Sequence, residues 1–173
     1  MNDLLNLINS RASTKAYSET MPENEKIEEI IKAGLSAASG RNLQAPIIVA
    51  VTNKDVRDKL SAANAAIMGV DTDPFYSAPV VLVVLAKKAA HTYVYDGSLA
   101  LGNMMLAAHA EGLGSCWIHR AREVFELPEW KEWLKSIGIE DEVEGIGNLI
   151  VGYPKDKIPT PKEKKSGRVF YVK

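Results

Sequence analysis

The sequence predicts a domain in which helices pack against a central sheet. Short, continuous apolar runs at residues 46–51 and 79–85 are typical of strands covered on both faces. Around these runs, apolar residues recur at the spacing of helices. Alternating helices and strands form, by default, a parallel doubly wound sheet with a nucleotide site, so this is the first fold class to consider.

Four elements are predicted in the first part of the chain. Asn2 or Asp3 can cap a short helix with its leucines on one side. A second helix is predicted over residues 22–38, with Pro22 in its first turn. The strand at 46–51 follows, and Asn53 can cap a third helix. Residues 69–76 have the glycine, aspartate and proline content of a loop.

The chain is organised around a helix predicted from Asp96, which can cap it, to about residue 111. Gly112 and Gly114 supply the permissive backbone that ends it. The helix has too few polar residues for a solvated face, so it must be enclosed by the fold or shared with a second chain. A strand at 115–119, an amphipathic helix at 128–137 and a strand at 146–151 are predicted after it.

The 173 residues suit one domain over 1–173, in which 155–173 is an extended arm with seven basic and two acidic residues. A formal net charge of −1 gives no general attraction for nucleic acid. The longest apolar run is too short to cross a bilayer, and no signal peptide is recognisable, so we expect a cytoplasmic protein without a membrane partner. The single cysteine, Cys116, agrees with a reducing compartment.

The common catalytic motifs are missing. The pair Gly112-x-Gly114 follows a helix and enters a strand, the reverse of the order in a dinucleotide-binding loop. The three histidines lack ligand spacing with Cys116, so no metal site is predicted. No phosphate-binding Walker loop, nucleophile elbow or catalytic triad is recognisable.

Three breaks between the predicted elements are rich in hydrogen-bond donors, at residues 11–15, 39–44 and 162–168. Each has an ordinary interpretation as solvated loop charges, a turn, or a solubilising tail. Together they offer cations for a phosphate, an amide for the edge of a heteroaromatic ring and, with the apolar helix, an apolar floor. A mononucleotide cofactor requires this combination.

The motifs also resemble those of the FMN-dependent nitroreductase family, in its short single-domain members. They are Arg11-x-Ser13-x-Lys15, Ala37-Ala38-Ser39-Gly40-x-Asn42-x-Gln44, Asp96-Gly97-Ser98-Leu99, the helix at 103–108, Gly112-Leu113-Gly114-Ser115-Cys116-Trp117-Ile118 and Gly152-Tyr153-Pro154. The resemblance implies an α+β fold with a mixed, mainly antiparallel sheet flanked by helices. It also implies a homodimer with flavins at the subunit interface and exchanged C-terminal arms.

The resemblance implies a set of FMN-binding residues and no catalytic side chain. The set is Arg11, Ala12, Ser13, Lys15, Ser39, Gly40, Asn42, Trp117, Ile118, His119, Lys165 and Arg168. In it Arg11 and the late basic pair serve the phosphate, and Lys15 lies beside the N1 and C2 carbonyl edge, where it tunes the reduced flavin. The stretch 117–119 passes the ring near N5.

The implied activity is a ping-pong transfer of two electrons from NADH or NADPH, through N5 of FMN, to a nitroaromatic, quinone or similar oxidant. Three alternatives remain open. A flavin-binding or redox-sensing protein with little turnover is favoured if His119 and Arg120 block the ring. The other two are flavin destruction and reductive dehalogenation on the same scaffold.

Overall fold

The computed structural model describes residues 2–173 and contains six helices and four strands within them. The helices are α1 (Asp3–Ser10), α2 (Asn24–Leu35), α3 (Lys54–Met68), α4 (Tyr93–Ala110), α5 (Ala121–Glu126) and α6 (Pro128–Ser136). The strands are β1 (Pro46–Val51), β2 (Val80–Lys87), β3 (Gly114–Ile118) and β4 (Val143–Gly152). The tail at residues 155–173 contains neither helix nor strand.

The four strands form one sheet in the order β1-β2-β4-β3, and every pair of neighbours is antiparallel. The default of a parallel sheet is therefore wrong for this chain, and the α+β class with a mainly antiparallel sheet is confirmed. A single parallel bridge, between Ser13 and Ser115, adds the segment before α2 to the free edge of β3.

Strand β2 lies inside the sheet and is buried on both faces, as its β-branched run predicts. On one face Val81, Val83 and Leu85 join a cluster with residues of α3, α5 and α6. On the other face, residues such as Val80 and Leu82 pack with side chains of α2 and α4. Helices on both sides thus enclose two apolar layers.

Several element boundaries differ from the predictions. Helix α2 begins at Asn24, because Glu23 is still extended, so Pro22 lies before the helix rather than in its first turn. Helix α4 begins one turn earlier than predicted, after Thr92, so Asp96 is not its cap. Strand β1 is an edge strand and only partly buried. The short helix α5 was not predicted.

The predicted caps at the other helices are confirmed. The side chain of Asn2 accepts a hydrogen bond from the Leu4 amide at 2.9 Å. The side chain of Asn53 accepts one from the Val56 amide at 3.0 Å, and each satisfies a donor that the first helical turn leaves free. Gly112 lies in the turn directly after α4 and has a φ of 73°, in the left-handed region. This confirms its predicted permissive role at the end of the helix.

Helix α4 is not enclosed by its own chain. Its inner side, including Leu101 and Met104, is fully buried. Its outer side leaves Val94, Tyr95 and Leu99 exposed by 41, 72 and 52%. Leu4 and Leu5 of the neighbouring α1 are also exposed, so both helices present apolar side chains at the surface of the chain.

Asp73 fastens the loop between α3 and β2. Its carboxylate accepts hydrogen bonds from the side chains of Arg57 and Ser61, and from the amides of Phe75 at 2.9 Å and Ser77 at 2.7 Å. Burial raises the pKa of Asp73, but these hydrogen bonds outweigh burial and hold the pKa below its ordinary value. The ionised form is therefore the one that the fold stabilises.

An acid-sensitive contribution to stability follows from this lowered pKa. It is complete above the unfolded pKa, near 3.8, and is lost as the pH falls through the lower folded value. We expect Asp73→Asn to lower the free energy of unfolding by about 1–3 kcal/mol at neutral pH. The difference from wild type should shrink at low pH in urea titrations. The exposed Asp71→Asn is the control, and a difference constant with pH would contradict the prediction.

Candidate functional site

The segment between α1 and α2 is fixed along two other parts of the chain. The Thr14 amide donates to the Ser115 carbonyl of β3 at 3.0 Å. Further on, the Ser18 amide donates to the Tyr153 carbonyl at 2.9 Å, and the Lys155 amide donates to the Ala16 carbonyl at 3.1 Å. These bonds bring Arg11–Lys15 to the edge of β3 and to the start of the tail.

Gly114 permits this close approach. A Cβ atom at Gly114 would lie 2.6 Å from the Thr14 hydroxyl oxygen, well inside van der Waals contact. We expect Gly114→Ala to lower the free energy of unfolding by about 1–3 kcal/mol, the usual cost of overpacking, as measured in denaturant. Gly102→Ala is a control, since nothing apart from the backbone of its own helix lies within 4 Å of its Cβ position. Equal stability of the two variants would contradict this role.

A first cavity, of about 530 Å³, lies between the segment that begins at Arg11 and the tail. We call it the basic cavity. Six cationic side chains and a single carboxylate line it: Arg11, Lys15, Lys162, Lys164, Lys165 and Arg168, with Glu163. Ala12, Ser13 and residues 159–161 complete the wall. The structure thus brings the first and third donor-rich breaks together, although about 150 residues separate them.

The charge of the basic cavity is not compensated from within the chain. Within residues 2–173, none of its six cations forms an ion pair. Nη1 of Arg11 is buried and has no hydrogen-bond partner there. A buried guanidinium nitrogen without an acceptor is costly, so this atom calls for an anionic ligand.

A second cavity, of about 380 Å³, adjoins the end of β3, and we call it the strand cavity. Its walls include Met68 at the end of α3, Pro74 and Tyr76 from the loop that follows, and residues 116–120. Lys15 lines both cavities and therefore marks their junction. An apolar wall beside a cation-lined cavity suits a ring that carries a phosphate.

The predicted residues of β3 differ in exposure at the strand cavity. Cys116 and Ile118 are buried, Trp117 is partly buried, and His119 and Arg120 are exposed. Burial raises the pKa of the Cys116 thiol, against smaller lowering effects of Ser13 and of nearby cations. The thiol is therefore a weak nucleophile at neutral pH, in keeping with a packing role.

The second donor-rich break lies elsewhere. Ser39, Gly40 and Asn42 line neither of these two cavities. They lie on a single 3₁₀ turn beside the start of α4, where the Gly40 amide donates to Asp96 at 3.1 Å. Asp96 also accepts from the Thr92 hydroxyl, so it anchors this turn instead of capping the helix. One chain alone does not assemble the whole predicted set.

Sequence reasoning missed part of the cavity walls. Pro74 and Tyr76 were assigned only to a loop, Met68 was given no role, and residues 159–164 were assigned only to the arm. In this loop Tyr76 and Ser77 have positive φ, of 52° and 59°, which often marks a functional loop but is visible only in the structure. Within residues 2–173, no three potential ligands converge on a metal site, and no helix could cross a membrane.

The fold and the two cavities define an α+β protein with a site suited to a phosphate-bearing ring. A model of the nitroreductase family matches residues 8–74 and 65–153. An Archaeoglobus fulgidus relative, provisionally named an NADH dehydrogenase/NAD(P)H nitroreductase, is 30% identical over 161 residues, which cover 91% of this chain and 88% of the relative. The chain therefore belongs to the nitroreductase family, and the resemblance seen in its motifs is confirmed.

Solved structures share the fold over the full length. A Bacteroides fragilis nitroreductase with bound FMN is 25% identical, with a TM-score of 0.90 and coverage of 100% of both chains. A nitroreductase with bound FMN from Desulfitobacterium hafniense has a TM-score of 0.88 and 22% identity, again with 100% of both chains covered. At 22% identity, the likeness to the Desulfitobacterium hafniense structure concerns the fold alone.

Proposed function

We propose that the chain is an FMN-dependent oxidoreductase that uses NADH or NADPH as electron donor. FMN, when bound, supplies a ring that takes hydride at N5 and returns two electrons to a nitroaromatic, quinone or similar oxidant in the second half of a ping-pong cycle. The observation that carries the proposal is the buried, unpartnered Arg11 Nη1 in a cavity with six cations. Family membership and the FMN bound by the Bacteroides fragilis relative support it.

Different residues of the two cavities bind different parts of FMN. Arg11, Lys165 and Arg168 hold the phosphate, because guanidinium and ammonium groups form strong charge-assisted hydrogen bonds with its oxygens. Lys15, at the junction, places a positive charge beside the edge of the ring, where negative charge accumulates on reduction. Residues 117–119 form the wall that the ring passes.

We further propose that the site is completed in a homodimer. Ser39, Gly40 and Asn42 lie outside both cavities, beside the apolar surface of α1 and α4. Pairing of two such surfaces in a symmetric dimer would bury Tyr95 and Leu99, and it would present each 3₁₀ turn to the partner's flavin. The tail's exposed apolar end, at residues 169–172, is then free to cross to the partner.

Turnover is favoured over a sensor without turnover. His119 and Arg120 are exposed and line the strand cavity instead of filling it, so they leave the space of about 380 Å³ beside β3 free for the ring. No feature of the described residues separately favours flavin destruction or dehalogenation, and these uses of the scaffold stay as predictions.

Steady-state kinetics test this function. Protein loaded with FMN is mixed with NADH or NADPH and with menadione or nitrofurazone, and both concentrations are varied. The proposal predicts oxidation of at least one nicotinamide and parallel lines in double-reciprocal plots. A yellow protein that oxidises neither nicotinamide would contradict the turnover and favour the sensor.

A further inference from the structure

The loop after α3 holds an aromatic side chain against the junction of the two cavities. Tyr76 and the following Ser77 have left-handed backbones, with φ of 52° and 59°, which are unfavourable for these residues. The carboxylate of Asp73 accepts hydrogen bonds from the amides of Phe75 and Ser77, on either side of Tyr76. Asp73 therefore stabilises a turn that the backbone alone would not prefer.

This turn directs Tyr76 at Lys15. The Lys15 ammonium lies 5.7 Å from the centre of the Tyr76 ring, within the range of a cation–π interaction. Within residues 2–173 the Lys15 ammonium has no ion pair, and the rest of the side chain is exposed. The aromatic contact is thus what orients a side chain that otherwise has many rotamers available.

We propose that Tyr76, held in place by Asp73, is a positioning residue that orients the Lys15 ammonium and thereby makes the site favour reduced over oxidised FMN. The inference rests on the proposed function. Oxidised FMN has a neutral ring, whereas reduced FMN carries negative charge near N1.

A Lys15 side chain that is already ordered stabilises the negative charge at no further entropic cost. A free lysine must first be ordered when the flavin is reduced, and part of the electrostatic gain is lost. Loss of the Tyr76 contact should therefore affect the reduced state more than the oxidised state. General damage to the pocket would weaken the binding of both states alike.

The test is the two-electron reduction potential of bound FMN, together with the dissociation constant of oxidised FMN. For Tyr76→Leu we expect the ratio of the affinities for reduced and oxidised FMN to fall about tenfold, which lowers the potential by about 30 mV. Tyr76→Phe keeps the aromatic ring and should therefore have the wild-type potential. Asp73→Asn should lower the potential in the same direction.

Tyr153→Leu is the matched control. It removes the cation–π contact of Tyr153 with Lys26, at 5.2 Å, away from both cavities, and should leave the potential unchanged. A wild-type potential in Tyr76→Leu, or a Tyr76→Phe potential as low as that of Tyr76→Leu, would overturn the inference while the proposed function stands. Failure of the wild-type chain to bind FMN would overturn both.

A measurement without flavin tests the first half of the inference. In the apo-protein, hydrogen exchange at the Phe75 and Ser77 amides should be slow in the wild-type chain and accelerate at least tenfold in Asp73→Asn. Unchanged exchange at both amides would overturn the role of Asp73.

Discussion

An Arg11→Ala variant is expected to bind FMN about 10 to 100 times more weakly than the wild-type chain. The range follows from the loss of one charge-assisted hydrogen bond, worth about 1.5–3 kcal/mol. Arg11 is singled out among the cations of the basic cavity because its Nη1 is already buried without a partner. Quenching of flavin fluorescence during titration measures the effect.

Riboflavin provides the control for Arg11, because it carries the same ring without the phosphate. Its affinity should be nearly equal in the wild-type chain and in Arg11→Ala. Arg168→Ala and Lys15→Ala should also weaken the binding of FMN. Lys15→Ala should weaken the binding of riboflavin as well, since Lys15 reaches the strand cavity. An Arg11→Ala variant that loses FMN and riboflavin equally would refute the assignment of the phosphate to the basic cavity.

A Leu99→Glu variant is expected to convert the proposed dimer into monomers and to lose FMN as a consequence. Leu99 is 52% exposed on the outer side of α4, next to Tyr95 at 72%, although the helix is apolar nearly all round. Burial of a leucine in an interface contributes about 1.5–3 kcal/mol, and two copies of an unpaired glutamate there add a desolvation cost. Sedimentation velocity measures the association state, and flavin absorbance measures the retained FMN.

Ile137→Glu is a matched control for Leu99→Glu. Ile137 is 45% exposed, but it follows α6 on the opposite face of the sheet from α4. This variant should sediment as a dimer and keep its flavin. Dimers that persist in Leu99→Glu would show that a different surface of the chain associates, and the placement of the 3₁₀ turn at the partner's site would then be wrong.

Local features of the fold could be predicted because their causes are local. The caps at Asn2 and Asn53 depend on one side chain and the next few amides. The β-branched run of β2 predicts a strand that is buried on both faces, and β2 does lie inside the sheet. Strand direction is different, because alternating helices and strands are compatible with parallel and antiparallel sheets. Only the family resemblance predicted the antiparallel arrangement.

In the candidate site, too, local features could be predicted, whereas contacts between distant segments could not. The donor-rich segments were recognisable from residue type, but their meeting depends on contacts between distant segments, such as Thr14 with Ser115 and Lys155 with Ala16. The role of Asp96 was misjudged because an acidic residue near a helix start is typical of a cap, whereas here it holds Gly40. Tyr76 had no signal in composition, since its orientation comes from the hydrogen bonds of Asp73.

A spectral titration of the flavin-free chain with FMN tests whether the two cavities joined at Lys15 bind FMN. We expect a shifted, structured flavin absorbance that saturates at one FMN per chain, with a dependence on Arg11 that riboflavin does not share. A flavin spectrum that stays identical to that of free FMN throughout the titration would contradict it.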